Sequence, residues 1–105
     1  MWVIDIRHLL DDTFARPAHR GFSAKVRQLG QIITYATATQ AGIALDFHPM
    51  CWRRPRKQAC EGVLQIELRK DHIYWECPNC GDEGVVTGWK GLIWDMSVFR
   101  SIAPS

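Results

Sequence analysis

Four cysteines carry the chemistry this chain can do. Cys51 and Cys60 flank the basic segment Trp52-Arg53-Arg54-Pro55-Arg56-Lys57-Gln58-Ala59, and Cys77 and Cys80 lie in Glu76-Cys77-Pro78-Asn79-Cys80-Gly81. A C-x2-C pair followed by glycine is the turn that brings two thiolates and neighbouring backbone N–H groups onto one tetrahedral ion. A structural Zn²⁺ site is closed, with four protein ligands and no position left for water. Cys51, Cys60, Cys77 and Cys80 fill those four places, so the expected cofactor is Zn²⁺; a closed set of four sulfurs also suits iron. The spacing of the first pair, C-x8-C, is wider than the usual two to four residues, which leaves His48 as an alternative to Cys51.

Other uses of the same residues fit less well. A thioredoxin-like C-x-x-C needs its first cysteine at a helix N-terminus within a βαβ pattern, whereas Gly81, Gly84 and β-branched residues follow here. A zinc deaminase needs P-C-x-x-C and an upstream H-x-E; Glu76 precedes Cys77, and H-x-E does not occur. H-E-x-x-H, G-x-x-x-x-G-K and G-x-S-x-G are also missing. His8 and His19, near Asp11 and Asp12, read as solvated surface. The expectation is a protein that is not an enzyme.

Net charge is +2, divided as +1 over residues 1–50, +4 over 51–60 and −3 over 61–105. The positive field is therefore local. Arginine forks match phosphate oxygens and tryptophan can stack on a base, so Trp52, Arg53, Arg54, Arg56 and Lys57 are the candidate nucleic-acid-binding residues. Equally, these cations can simply offset the charge of the thiolates. Two other classes of function stand beside nucleic-acid binding. One is a protein-interaction or oligomerisation adaptor using the tryptophans and a helix face; the other is a thiol-based redox or metal sensor, in which oxidation ejects the ion and unfolds the ribbon.

The elements that must position these residues follow from periodicity. A chain of 105 residues is one compact module whose core alone leaves it marginally stable. No apolar run approaches the roughly 18 to 20 residues that cross a bilayer, and the N-terminus has no signal-like apolar stretch. These features predict a soluble, cytoplasmic protein without membrane contact. Trp2 to Arg7 alternates like a strand, while Val3, Ile6, Leu10 and Phe14 also fit a helical stripe; for residues 2–14 both readings stand.

From Ser23 to about Thr39, Val26, Leu29, Ile33 and Ala36 recur at helical spacing, with Ser23 as N-cap, Gly42 as the stop, and Lys25, Arg27, Gln28 and Gln31 mostly off the stripe. Leu64, Ile66 and Leu68 then alternate with Gln65, Glu67 and Arg69, Lys70-Asp71 turns the chain, and Ile73 and Trp75 continue the apolar face. Val85–Trp89 and Leu92–Trp94 read as further strands, and Trp75, Trp89 and Trp94 mainly as core. The fold class is α+β: an N-terminal helical portion over 1–46 with one main amphipathic helix, packed beside a small antiparallel zinc β-ribbon over 47–105.

The stretches C-W-R-R-P-R-K-Q-A-C, W-E-C-P-N-C-G-D-E-G-V and G-W-K-G-L-I-W-D resemble the zinc-ribbon group. The similarity is closer to a family of small uncharacterised bacterial proteins that share the C-x8-C basic loop and the knuckle. It extends to Ile33–Thr37 and Trp2–Leu9. The resemblance implies a zinc-bound β-ribbon with a helical N-terminal portion, in a role of binding nucleic acid or protein rather than catalysis.

Overall fold

The computed structural model describes residues 2–52, 60 and 62–97. The chain begins with strand β1 (Trp2–Asp5), whose direction changes at once into a 3₁₀ turn, Ile6–Leu9. Asp5 caps that turn by accepting the N–H of Arg7 at 3.0 Å. Of the two patterns that overlap in residues 2–14, the strand takes the first four residues. The helical spacing of Val3, Ile6 and Leu10 is realised only as this one short turn, which buries Ile6 and Leu10.

A second 3₁₀ turn, Arg20–Phe22, leads into helix α1 (Ser23–Gln40). Ser23 is therefore already inside the helix rather than its N-cap: Phe22 holds the cap position, without a side-chain capping bond. The other end stops as the glycine predicts. Gly42 has φ +77°, its N–H bonds to Thr39 O at 3.1 Å, and the N–H of Ile43 reaches Ala38 O at 2.8 Å. This pair of bonds closes the last helical carbonyls in a Schellman motif.

Strands β2 (Gln65–Arg69), β3 (His72–Glu76) and β4 (Glu83–Thr87) complete a four-stranded sheet in the order β1-β4-β3-β2. β2 and β3 form a two-residue hairpin through Lys70 and Asp71, with Ile66 opposite Trp75 and Leu68 opposite Ile73. β4 is antiparallel to β3, but β1 runs parallel to β4, with Val3 beside Val85. The expectation of a purely antiparallel ribbon is corrected accordingly. The first residues of the chain are part of the sheet, and sequence alternation does not reveal which strand, or in which direction, a terminal strand will meet.

The period-2 pattern sends Leu64, Ile73, Trp75 and Val86 inward, where α1 covers them with Val26, Leu29, Ile32 and Ile33. Gly84 sits between Trp2 and Trp75 on that face; a Cβ there would collide with the Trp75 ring. The opposite face is polar at its centre. There the Tyr74 hydroxyl lies 2.8 Å from a carboxylate oxygen of both Glu76 and Glu83.

Leu92–Trp94 is not a strand. Gly88 and Gly91 adopt φ +73° and +79°, and the residues between and after them form consecutive turns closed by Leu92 N–H to Trp89 O at 3.2 Å and Asp95 N–H to Leu92 O at 3.0 Å. The Asp95 carboxylate accepts the N–H of Gly91 at 2.9 Å. The resulting hook reaches back to α1, where buried Thr37 Oγ1 donates to Ile33 O at 2.7 Å and accepts the N–H of Met96 at 2.9 Å. The Trp94 indole lies where Gly30 leaves no side chain in its way. Trp75 and Trp89 are buried as expected, whereas Trp2 lies at the sheet edge with Lys25 Nζ 5.0 Å above its ring. Among the described residues no helix is long and apolar enough to cross a membrane.

Candidate metal centre

Each half of the cysteine set has its own support. Cys77 leaves the end of β3 and starts a tight turn, in which the N–H of Gly81 bonds to Cys77 O at 2.8 Å and the N–H of Cys77 to Asp82 O at 2.7 Å. The turn needs the positive φ of Gly81, +80°, a conformation that costs glycine little. Cys51 and Cys60 are brought together by a short antiparallel ladder of the residues that flank them: Met50 pairs with Val63, Cys51 N–H donates to Gly62 O at 2.8 Å, and Leu64 N–H donates to Pro49 O at 3.1 Å. That ladder is why an eight-residue spacing can still present two sulfurs to one point.

Every pair among the Sγ atoms of Cys51, Cys60, Cys77 and Cys80 lies within 4.8 Å. Cys51 and Cys80 approach to 3.6 Å, Cys60 and Cys77 to 3.7 Å. Four sulfurs at about 2.3 Å from a central ion form a tetrahedron with edges of about 3.8 Å. The two contacts match that edge, and the donor set is the all-thiolate type that suits zinc or iron. The structure thus brings together all four predicted ligands, in a place shaped for one ion.

His48 does something else. Its Nε2 is 2.8 Å from Leu64 O and its ring lies against Tyr35, centroids 4.5 Å apart. With Nε2 facing a carbonyl oxygen, the ring nitrogen acts as a donor that fixes the ladder, and the fourth sulfur position belongs to Cys51. Trp52 is half-buried beside it, and Arg53, Arg54, Arg56 and Lys57 fall outside the described residues.

Sequence reasoning missed three residues that shape the centre. Asn79 donates through Nδ2 to Cys60 Sγ at 3.3 Å. Gly62 adds its N–H to the same sulfur, and a Cβ at Gly62 would stand 2.5 Å from Cys77 Sγ. The Asn79 amide, followed by the Gly62 N–H, pulls the Cys60 thiol down to about 7, so this sulfur reaches its ligating form close to neutral pH. Cys80 is held above its ordinary value: the Asp82 N–H lowers it, but burial and the thiols of Cys77 and Cys60 outweigh that. The third is Gln28, on the helix face assigned to solvent. It is buried, and its Nε2 donates to Met50 O at 2.8 Å, tying α1 to the strand that carries Cys51. A glycine two residues after Cys60, echoing the one directly after Cys80, was the available signal for Gly62.

Beside the centre lies an open groove of about 850 Å³ whose lining includes Tyr35, His48, Leu64, Ile66, Pro78 and Asn79. No protein-family model, curated protein or solved structure matches this chain.

Proposed function

We propose that the chain is a non-enzymatic zinc-binding module of the zinc-ribbon kind, whose metal centre anchors the Trp52–Lys57 segment for contact with nucleic acid. The observation that carries this reading is the convergence of four sulfurs within 4.8 Å, with Cys51 and Cys60 at the two ends of the cationic segment. Zn²⁺ supplies no reaction here; it joins the 51–60 loop to the knuckle that follows β3. Because the thiolates exist as a site only in the folded chain, metal binding is largely folding free energy. Arg53, Arg54, Arg56 and Lys57 are the phosphate ligands in this reading, and Trp52 is the stacking surface. Glu67 on the outer face of the sheet is paired with Arg69, but Glu76 and Glu83 beside Tyr74 leave that face negative, which directs a polyanion elsewhere.

The test is metal analysis followed by titration with single-stranded and duplex oligonucleotides across a salt series. Binding should require the metal, and its logarithm should fall linearly with log salt, by about 0.7 to 0.9 per phosphate neutralised. Replacing all four loop cations by alanine should remove that dependence while leaving the fold intact. No binding even at low salt would refute the nucleic-acid reading and favour a protein partner. Met50 and Val63, paired across the ladder yet 44% and 48% exposed, are the observation on that side.

A further inference from the structure

We propose that the four cysteines form two oxidation pairs, Cys51 with Cys80 and Cys60 with Cys77, and that hydrogen peroxide reacting first at Cys80 turns the centre from a metal clamp into a disulfide clamp. The metal-release part rests on the zinc reading above; the pairing rests on geometry alone. The contacts of 3.6 Å and 3.7 Å both run across the centre, each joining a cysteine of the wide loop to one of the knuckle. Cys51, Cys60 and Cys77 are buried, whereas Cys80 is exposed. A small neutral oxidant therefore meets Cys80 first, there as the thiolate that a bound ion holds, with Cys51 already in place to resolve the product. Cys60 and Cys77 are shielded by Asn79 and by the close approach of Gly62.

The chemistry balances with peroxide as the only oxidant. The Cys80 thiolate attacks one peroxide oxygen, the O–O bond breaks, and the departing hydroxide takes a proton to become water. Cys80 is then a sulfenic acid, oxidised by two electrons. The Cys51 thiolate attacks the Cys80 sulfur, the S–S bond forms, the S–O bond breaks, and the second hydroxide is protonated to water. One peroxide and two protons thus convert two thiolates into one disulfide and two waters. An ion that has lost two of four ligands is released, and a second peroxide closes Cys60 onto Cys77. Since both bonds join the same two loops that the ion joined, the oxidised module stays cross-linked. This outcome differs from unfolding on oxidation, the behaviour attached to the alternative sensor reading of the sequence.

The experiment uses the full chain as purified. Metal content is measured, hydrogen peroxide is added in stoichiometric steps, release is followed with a chromophoric chelator, and disulfides are mapped by mass spectrometry. Trypsin cuts at Arg53, Arg56 and Lys57, separating Cys51 from Cys60, while Cys77 and Cys80 remain on the peptide 71–90. The expected first product is the Cys51 peptide linked to 71–90, with electron-transfer fragmentation placing the bond at Cys80 and with the ion lost in parallel. An unlinked 71–90 peptide two hydrogens lighter, which is the Cys77–Cys80 bond, or a Cys51–Cys60 link would overturn the pairing. Full retention of a bound ion after the Cys51–Cys80 bond has formed would overturn the clamp exchange. Protein isolated with no metal would refute the zinc reading, while the mapped bonds would still decide the pairing.

Discussion

Replacing Gly62 by alanine probes the centre without touching a ligand. The added methyl would stand 2.5 Å from Cys77 Sγ and 2.8 Å from Asn79 Cβ, where ordinary contacts begin at 3.4 Å. Relief at the sulfur alone requires a shift of about 0.9 Å, several times the ~0.2 Å by which a ligand distance can depart from its ideal value. The backbone offers little escape, because Gly62 O accepts from Cys51 and Gly62 N–H donates to Cys60. Overpacking of this kind costs about 1–3 kcal/mol. At about 1.4 kcal/mol per decade that is about 5- to 150-fold in affinity, overlapping the tenfold to hundredfold typical of residues that orient metal ligands. The assay is chelator competition for Zn²⁺, with the thiolate-to-metal absorption of the Co²⁺ form as a check on geometry. Gly21→Ala, which meets nothing within 4 Å, is the control and should bind as the parent does. A Gly62→Ala protein with parental affinity and an unchanged Co²⁺ spectrum would refute the argument that Cys77 Sγ and Asn79 leave no room for a side chain at Gly62.

Two further outcomes are expected away from the ligands. Gly84→Ala forces a methyl into the buried Trp75 ring and against Trp2 Cβ; a loss of about 1–3 kcal/mol should appear as a melting temperature lowered by about 4–8 °C per kcal/mol, and an unchanged melt would show that the indole has room to move. Tyr74 is held above its ordinary 10.0 by Glu76 first and then Glu83. A group whose folded value is raised contributes stability below its unfolded value and loses it as pH climbs toward the folded one. Stability should therefore decline above about pH 10, and Glu76→Gln should flatten that decline in alkaline denaturation curves; an identical alkaline limb in the variant would contradict the assignment.

What could be read in advance was local. The β2–β3 hairpin, the end of α1 at Gly42 and the Cys77–Gly81 turn each depend on residues within a few positions of one another, so their periodicity or turn chemistry is written in short windows. The Cys77–Cys80 half of the centre was legible in its C-x2-C-G spacing, whereas the wide Cys51–Cys60 spacing left His48 open as a ligand until the geometry was seen. What remained hidden depends on distant partners. Nothing near Trp2 announces a parallel match with Gly84, and nothing near Gln28 announces the carbonyl of Met50. Leu92 and Trp94 imitate a strand because a hook that packs under a helix must also bury apolar side chains, while Ile93 between them faces outward. Ser23 has the chemistry of a cap, but the preceding 3₁₀ turn starts the winding earlier and removes the need.

The side-by-side course of β1 and β4 has an implication for how the molecule is made. The ribosome makes Trp2–Asp5 well before the strand that completes their hydrogen bonding, Glu83–Thr87. Until then that segment and the apolar side of α1 lack their covering, and the strand that supplies it follows closely on Cys80. Cys77 and Cys80 thus join the other two cysteines just before the sheet can close, so the fold and its candidate metal centre are completed together.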